Sequence, residues 1–159
     1  MRLSDLITLS SIAVHVHVDD KLDALRFASR ALGLRSGLDP ERIRHALAAR
    51  EALGSTGIGR GVGLPHVSFP DIERPYAHLS LLARPIGFDA IDDERVDLIC
   101  AIISPANSQV GGNESLTNLA AVSRLLRDSD RANAIRRAKR PADIYDVIVK
   151  QAETTRLAS

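Results

Sequence analysis

A single cysteine, Cys100, rules out an intrachain disulfide and points to a reducing compartment. It sits inside the apolar run VDLICAII, where a thiol behaves as a small buried hydrophobe. There is almost no charge surplus: 21 Lys and Arg against 20 Asp and Glu leave a formal net charge of +1. No global field therefore steers the chain to nucleic acid or to an anionic membrane. No apolar run approaches the roughly 20 residues of a membrane span. No basic and apolar leader opens the sequence, and the expectation is a cytoplasmic protein without membrane insertion. Internal repeats and low-complexity linkers are lacking too. No pair of carboxylates is placed for acid–base work.

What is present suits one domain spanning residues 1–159, with its core over about 3–149 and a frayed tail, TTRLAS. The 45% hydrophobic and 26% charged residues are ordinary for a globular chain. IAVHVHV, Ile12 to Val18, alternates as a strand does, with Val14, Val16 and Val18 on one face and His15 and His17 on the other. A helix follows, with Leu22, Leu25, Ala28 and Leu32 at helical spacing and Gly33 near its end. The next helix has Asp39 as N-cap, Pro40 in the first position, Ile43 and Leu47 as core stripe and Gly54 as stop. AHLSLLA and VDLICAII read as strands, joined by the turn-rich RPIGFDAIDDER. PANSQVGG reads as a loop. A strong helix, capped at Asn113, carries Leu116, Leu119, Ala120, Ser123 and Leu126 on one side. A short helix near RANAIRRA and a last one, PADIYDVIVKQAE, complete the chain. Interleaved strands and helices predict an α/β fold, a mixed β-sheet sandwiched between helices in a single layered domain.

The most informative stretch is GSTGIGRGVGLPHV, Gly54 to Val67. It is not a dinucleotide fingerprint: from Gly57 or Gly59 the last glycine position falls on Val62 or Leu64. It is not a P-loop either, since from Gly54 both the lysine and the following hydroxyl are missing. Two readings fit the residues. Successive glycine N–H groups can form a concave anion site beside an imidazole. A glycine-rich turn with an incidental histidine fits equally well. Pro65 fixes φ and removes a donor directly before His66, which favours presentation at a strand end or bulge.

REALGSTGIGRGVGLPHV resembles the active-site signature of enzyme IIA domains of the fructose–mannitol type, from the phosphoenolpyruvate:sugar phosphotransferase system. The nitrogen-regulatory IIA proteins are the subgroup most similar in feel. IGFDAIDDERVDLICAIISP is similar to the family's strand–loop–strand segment, and NLAAVSRLLRD to its following helix. The resemblance covers about Leu3 to Val149. It implies that His66 accepts a phosphoryl group from a small histidine phosphocarrier protein. A regulatory IIA then binds targets according to its phosphorylation state, whereas a transport IIA passes the group to a IIB domain. A module of the same fold that is never phosphorylated is the alternative from another class.

Imidazole suits the role because it is a nucleophile near neutral pH and an N–P bond can be handed on. Arg50 matches the arginine opening the family motif, and a guanidinium can grip phosphate by two parallel hydrogen bonds. Ser55, Thr56, Gly61 and Gly63 are candidate phosphate neighbours, the glycines through backbone N–H groups and the first two through hydroxyls, for which a plain capping or turn role fits equally well. Val62, Leu64, Val67 and Phe69 are candidates for an apolar docking rim, or ordinary core residues. No cofactor and no metal is called for.

The sequence departs from the family at one place. A second histidine usually stands in a stretch reading like E-H-L; here it is Glu114-Ser115-Leu116, with Ser115 in the histidine's place. A hydroxyl donates a hydrogen bond but carries no charge, which favours a regulatory protein over a high-flux transporter. The QVGGN insertion just before Glu114 is expected to add flexibility. His15 and His17 lack a third ligand and read as a solvated strand face, with His45 on a polar helix side. His78 opens a strand, with nothing in the sequence to place it near the site. The basic run RANAIRRAKR reads as a solvated helix face, and the acidic stretch from Asp89 to Asp97 as a docking edge or plain surface.

Overall fold

A computed structural model describes residues 2–106 and 112–158, with side chains for 2–106 and 114–150. The elements run α1 (Leu3–Leu6), a 3-10 turn (Leu9–Ser11), β1 (Ile12–Val16), α2 (Lys21–Ser36), α3 (Pro40–Leu53), β2 (Gly57–Gly59), β3 (Val62–Gly63), β4 (His66–Phe69), β5 (Tyr76–Ile86), β6 (Val96–Pro105), α4 (Gly112–Arg127), α5 (Ser129–Arg136) and α6 (Pro141–Ala158). The α/β class with a mixed sheet between helices is the architecture observed. Strand order is β1-β5-β6-β3-β2, with β4 also paired to β6. β5 and β6 form the antiparallel centre, β1 runs parallel to β5, and β3 and β4 run parallel to β6.

Strict alternation along β5 and β6 assigns their side chains to two cores. Leu79, Leu81, Leu98, Cys100 and Ile102 face one core, completed by Val122, Leu125, Leu126, Ile135, Ile144 and Ile148 of α4 to α6. Ala101 and Ile103 face the other, with Leu25, Ala28 and Leu32 of α2 and Ile43 and Leu47 of α3. A fully buried leucine such as Leu98 contributes about 2–3 kcal/mol on this account. Burial pushes the Cys100 thiol up to about 12, so the lone cysteine is an inert core residue as expected.

Helix boundaries follow local chemistry. The Asp20 side chain accepts from the Asp23 N–H to start α2, and the Asp39 side chain accepts from the Glu41 N–H to start α3, ahead of Pro40. Gly54 follows the last residue of α3, as the sequence predicts.

Several expectations need correction. Gly33 does lie near the end of α2, buried against Pro40, but the stop itself is Gly37 at φ +80°. Leu22 is 58% exposed and does not join the stripe formed by Leu25, Ala28 and Leu32. β1 ends at Val16 and bulges at His15, whose φ is +52°. The bulge reverses the alternation: Val14 packs on the α4–α6 side, while Val16 joins a satellite cluster with Val18, Ala24 and Phe88. Helix α4 begins at Gly112, so Asn113 falls in its first turn. The core face of α4 is Asn118, Val122, Leu125 and Leu126; Leu116 is 68% exposed. Helix α6 continues to Ala158, through most of the tail expected to fray. Within the loop and insertion expected at 105–113, residues 107–111 lie outside the described residues. No helix among the described residues is long and apolar enough to cross a membrane.

Candidate functional site

The glycine stretch folds as a miniature edge. β2 and β3 form an antiparallel hairpin in which Gly57 faces Gly63 and Gly59 faces Val62. Gly59 and Gly61 have φ of +93° and +79°, which the hairpin turn requires. Gly57 and Gly63 serve close packing: a Cβ would lie 2.7 Å from Ala90 Cβ and 3.0 Å from the Phe88 ring, respectively. β3 and β4 lie in succession along one edge of β6, pairing with Leu98 and Ile99, then with Ile102 onward. Pro65 occupies the joint. It has no N–H to give, and its carbonyl accepts from the Ile102 N–H at 2.9 Å. His66 is thereby the first residue of β4, at a strand end as its preceding proline implied.

His66 opens onto a cleft of about 390 Å³. Arg50, Ser55 and Thr56 line it from the end of α3 and the following loop, Ile58 and Leu64 from the glycine stretch, and Leu116, Leu119, Ala120 and Ser123 from α4. The His66 Nδ1 lies 2.7 Å from the Leu64 carbonyl oxygen. A carbonyl can only accept, so Nδ1 carries the proton and Nε2 is left with the lone pair. Arg50 donates through Nη1 to the Gly54 carbonyl at 2.8 Å, which orients the guanidinium and leaves its remaining donors free of that bond.

The two hydroxyls act inside the loop. Ser55 donates to the Phe88 carbonyl at 2.6 Å and accepts from the Gly57 N–H at 3.0 Å. The Thr56 hydroxyl donates to Glu51, which also accepts the Thr56 N–H at 3.2 Å. In this arrangement both hydroxyl hydrogens are engaged within the loop, which is the capping or turn role that the sequence leaves open beside phosphate contact. Glu51 is buried and pairs with Lys21 Nζ at 2.9 Å, and that ammonium also lies 4.5 Å from the centre of the Phe88 ring. A buried carboxylate is tolerated because every hydrogen-bonding demand is met in this way.

Of the other predicted residues, Gly61 lies by Asp97 and Arg136 and Gly63 against Phe88, and neither lines the cleft, because the hairpin turns their backbone into packing. Ser115 is half-buried in the first turn of α4, beside the lining residue Leu116, and is not itself in the lining. Of the proposed apolar rim only Leu64 reaches the cleft; Val62 and Phe69 are core. His78 faces the α2 side of the sheet, its ring 5.6 Å from Phe27, away from His66. Among the described residues no group of three His, Cys, Asp or Glu is placed to hold a metal.

The sequence reading missed Ile58, Ser123 and the Lys21–Glu51 pair. Ile58 was legible as an apolar residue between two hairpin glycines. Leu119, Ala120 and Ser123 did share one helix face, and that face lines the cleft, with Leu119 also packing against the core. Lys21 lies 30 positions from Glu51, and no local pattern links them.

The family model for the phosphoenolpyruvate-dependent sugar phosphotransferase system, EIIA 2, matches residues 5–151. The nitrogen regulatory protein of Bradyrhizobium diazoefficiens is 32% identical over 148 residues, covering 93% of this chain and 95% of that one. The nitrogen regulatory protein of Escherichia coli is 32% identical over 149 residues, covering 93% and 90%. The crystal structure of nitrogen regulatory protein IIA-Ntr from Neisseria meningitidis superposes with a TM-score of 0.85 at 25% identity, covering 92% of this chain and 98% of that one.

Proposed function

This chain belongs to the EIIA 2 family of the phosphoenolpyruvate-dependent sugar phosphotransferase system, and from that premise we propose that it is a regulatory phosphocarrier phosphorylated on His66. The donor is a histidine phosphocarrier protein, and target proteins are bound or released according to the phosphorylation state. Regulation, in preference to sugar transport, is supported by the nitrogen regulatory proteins among its relatives.

The observation that carries the reading is the 2.7 Å contact between His66 Nδ1 and the Leu64 carbonyl. It fixes the tautomer with the lone pair on Nε2. That lone pair attacks the phosphorus of the donor's phosphohistidine. The new N–P bond forms as the donor's N–P bond breaks, and the departing electron pair stays on the donor's ring nitrogen. Nδ1 keeps its proton throughout, and the Leu64 carbonyl stabilises the positive charge the phosphorylated ring acquires. Arg50, in the same cleft, grips the transferring oxygens, since phosphoryl transfer asks mainly for positioning and charge stabilisation. The apolar wall of Ile58, Leu64, Leu116 and Leu119 limits access of water to the labile bond.

The test is incubation with the cognate phosphorylated carrier. Acid-labile, base-stable phosphate is expected on the wild type and absent from His66→Ala. Label surviving that substitution rejects the site, and no label from any carrier leaves a binding module of the same fold. Label passed efficiently to a IIB domain marks a transport protein.

A further inference from the structure

A second cleft lies where α1 and the 3-10 turn meet the last turn of α2 and the segment leading into β5. It has a volume of about 460 Å³ and is lined by Asp5, Thr8, Ser10, Arg35, Arg74 and Pro75. It shares no lining residue with the His66 cleft. Two guanidinium groups and two hydroxyls stand here beside one carboxylate. That carboxylate, Asp5, is taken up by Arg2, accepting from its backbone N–H at 3.2 Å and from its Nε at 3.3 Å. Among the described residues neither Arg35 nor Arg74 meets a carboxylate. Their partners are the Ala77 carbonyl and the Tyr76 ring.

The fold holds both kinds of donor in place. Arg35, half-buried in the last turn of α2, donates through Nη1 to the Ala77 carbonyl at 2.9 Å. The guanidinium carbons of Arg35 and Arg74 lie 5.6 and 4.7 Å from the centre of the Tyr76 ring. Burial first, and the charge of Arg74 second, hold Arg35 below its ordinary pKa. A cation at a helix C-terminus and a cation against an aromatic ring are each favourable, which explains either arginine alone. Neither effect explains two uncompensated guanidinium groups on one cleft, where like charges repel unless an anion comes between them. Thr8 is fixed by reciprocal bonds: its N–H donates to the Ser11 hydroxyl, and that hydroxyl donates to the Thr8 carbonyl, both at 2.8 Å. The Thr8 and Ser10 hydroxyl oxygens are 3.1 Å apart. Only one of their two protons can serve that bond, so the other is left to donate elsewhere.

We propose that this cleft binds a small phosphate ester, its phosphate oxygens held by Arg35 and Arg74 and by the free hydroxyl proton of Thr8 or Ser10. Guanidinium forks match phosphate oxygens in geometry as well as charge, and the bond to Ala77 commits only one nitrogen of Arg35. A cleft of this size is in the range that takes a small organic molecule, so the phosphate has room for the body that carries it. The site is independent of the His66 reading. It lies across one strand from that residue: Ala77, which anchors Arg35, and His66 both stand opposite Ile102 of β6.

The experiment is an NMR titration of the full chain carrying His66→Ala, so that the first cleft does not contribute. The probes are glycerol 3-phosphate, inorganic phosphate, succinate and, at matched ionic strength, sodium chloride. Saturable shifts of the Arg35 Nε–H and of the Thr8, Ser10 and Tyr76 amides are expected with glycerol 3-phosphate. Adding Arg74→Gln, at an exposed position, should weaken that binding by about tenfold or more, the worth of a charge-assisted hydrogen bond. Adding Arg124→Gln, on α4, should leave it as it was. Shifts that do not saturate and that sodium chloride reproduces overturn the site. So does binding that Arg74→Gln leaves unchanged in a variant whose spectrum is otherwise that of the folded protein. Succinate binding as tightly as glycerol 3-phosphate overturns the choice of phosphate. None of these outcomes bears on whether His66 is phosphorylated.

Discussion

The carboxylate of Glu51 accepts both the backbone N–H and the hydroxyl of Thr56, joining the last turn of α3 to the loop that forms one wall of the cleft. Lys21 closes the arrangement from α2. Removing the Glu51 charge leaves the largely buried Lys21 ammonium with only the longer carboxylate contact, to exposed Asp89 at 3.7 Å, a change that approaches the roughly 3–5 kcal/mol of breaking a buried pair. Glu51→Gln is therefore expected to lower stability by about 3 kcal/mol in a denaturant titration. It should also slow phosphorylation at temperatures where the variant is still folded, because Arg50 and Thr56 lose their fixed relation. An unchanged midpoint would show that the pair is not a tie.

Arg50 is a surface group with a single backbone anchor, the Gly54 carbonyl. Arg50→Lys keeps the charge and loses the planar fork. Phosphoryl transfer should slow by about tenfold or more, the worth of a charge-assisted hydrogen bond of ~1.5–3 kcal/mol. The melting temperature should move little, and stopped-flow transfer kinetics beside a thermal melt separate the two effects.

His78 is buried with neither ring nitrogen hydrogen-bonded among the described residues. Burial first, and the nearby Arg35 second, lower its pKa from 6.5 to about 4. Between those values the unfolded chain binds the proton and the folded chain does not. Stability is thus full above about 6.5 and falls as the pH drops toward about 4, by up to ~3 kcal/mol. His78→Leu removes the unsatisfied nitrogens and this dependence. Its stability at pH 5 should exceed wild type by more than it does at pH 7. Parallel stability-versus-pH curves for the two proteins would contradict this.

From the resemblance of Glu114-Ser115-Leu116 to the family's E-H-L stretch, we propose that Ser115 takes the place of a second histidine. Ser115→His should lengthen the half-life of the phosphorylated protein if that side chain turns toward the phosphoryl group. An unchanged half-life would place Ser115 outside the site.

How far the sequence could be read depended on whether the cause was local. Asp39, Pro40 and Gly54 mark α3 by cap chemistry, and the apolar runs of β5 and β6 announce central strands. His66 and Arg50 were recognisable by resemblance and do line one cleft. The glycines left two readings open, because hairpin formation and packing on Phe88 use the same residue type as an anion cradle does. β2, β3 and β4 are two to four residues long, and only pairing makes them strands: β3 and β4 on β6, and β2 on β3. The Lys21–Glu51 pair and the Arg60–Arg127 contact join distant positions, and periodicity carries no signal for either.

The central claim is that His66 receives the phosphoryl group on Nε2, its tautomer set by Leu64. Proton–phosphorus correlation spectroscopy of the freshly phosphorylated protein tests this directly. A single phosphohistidine linked through Nε2, lost in His66→Ala, is the predicted result. A phosphorus resonance linked through Nδ1, or one that persists without His66, would contradict it.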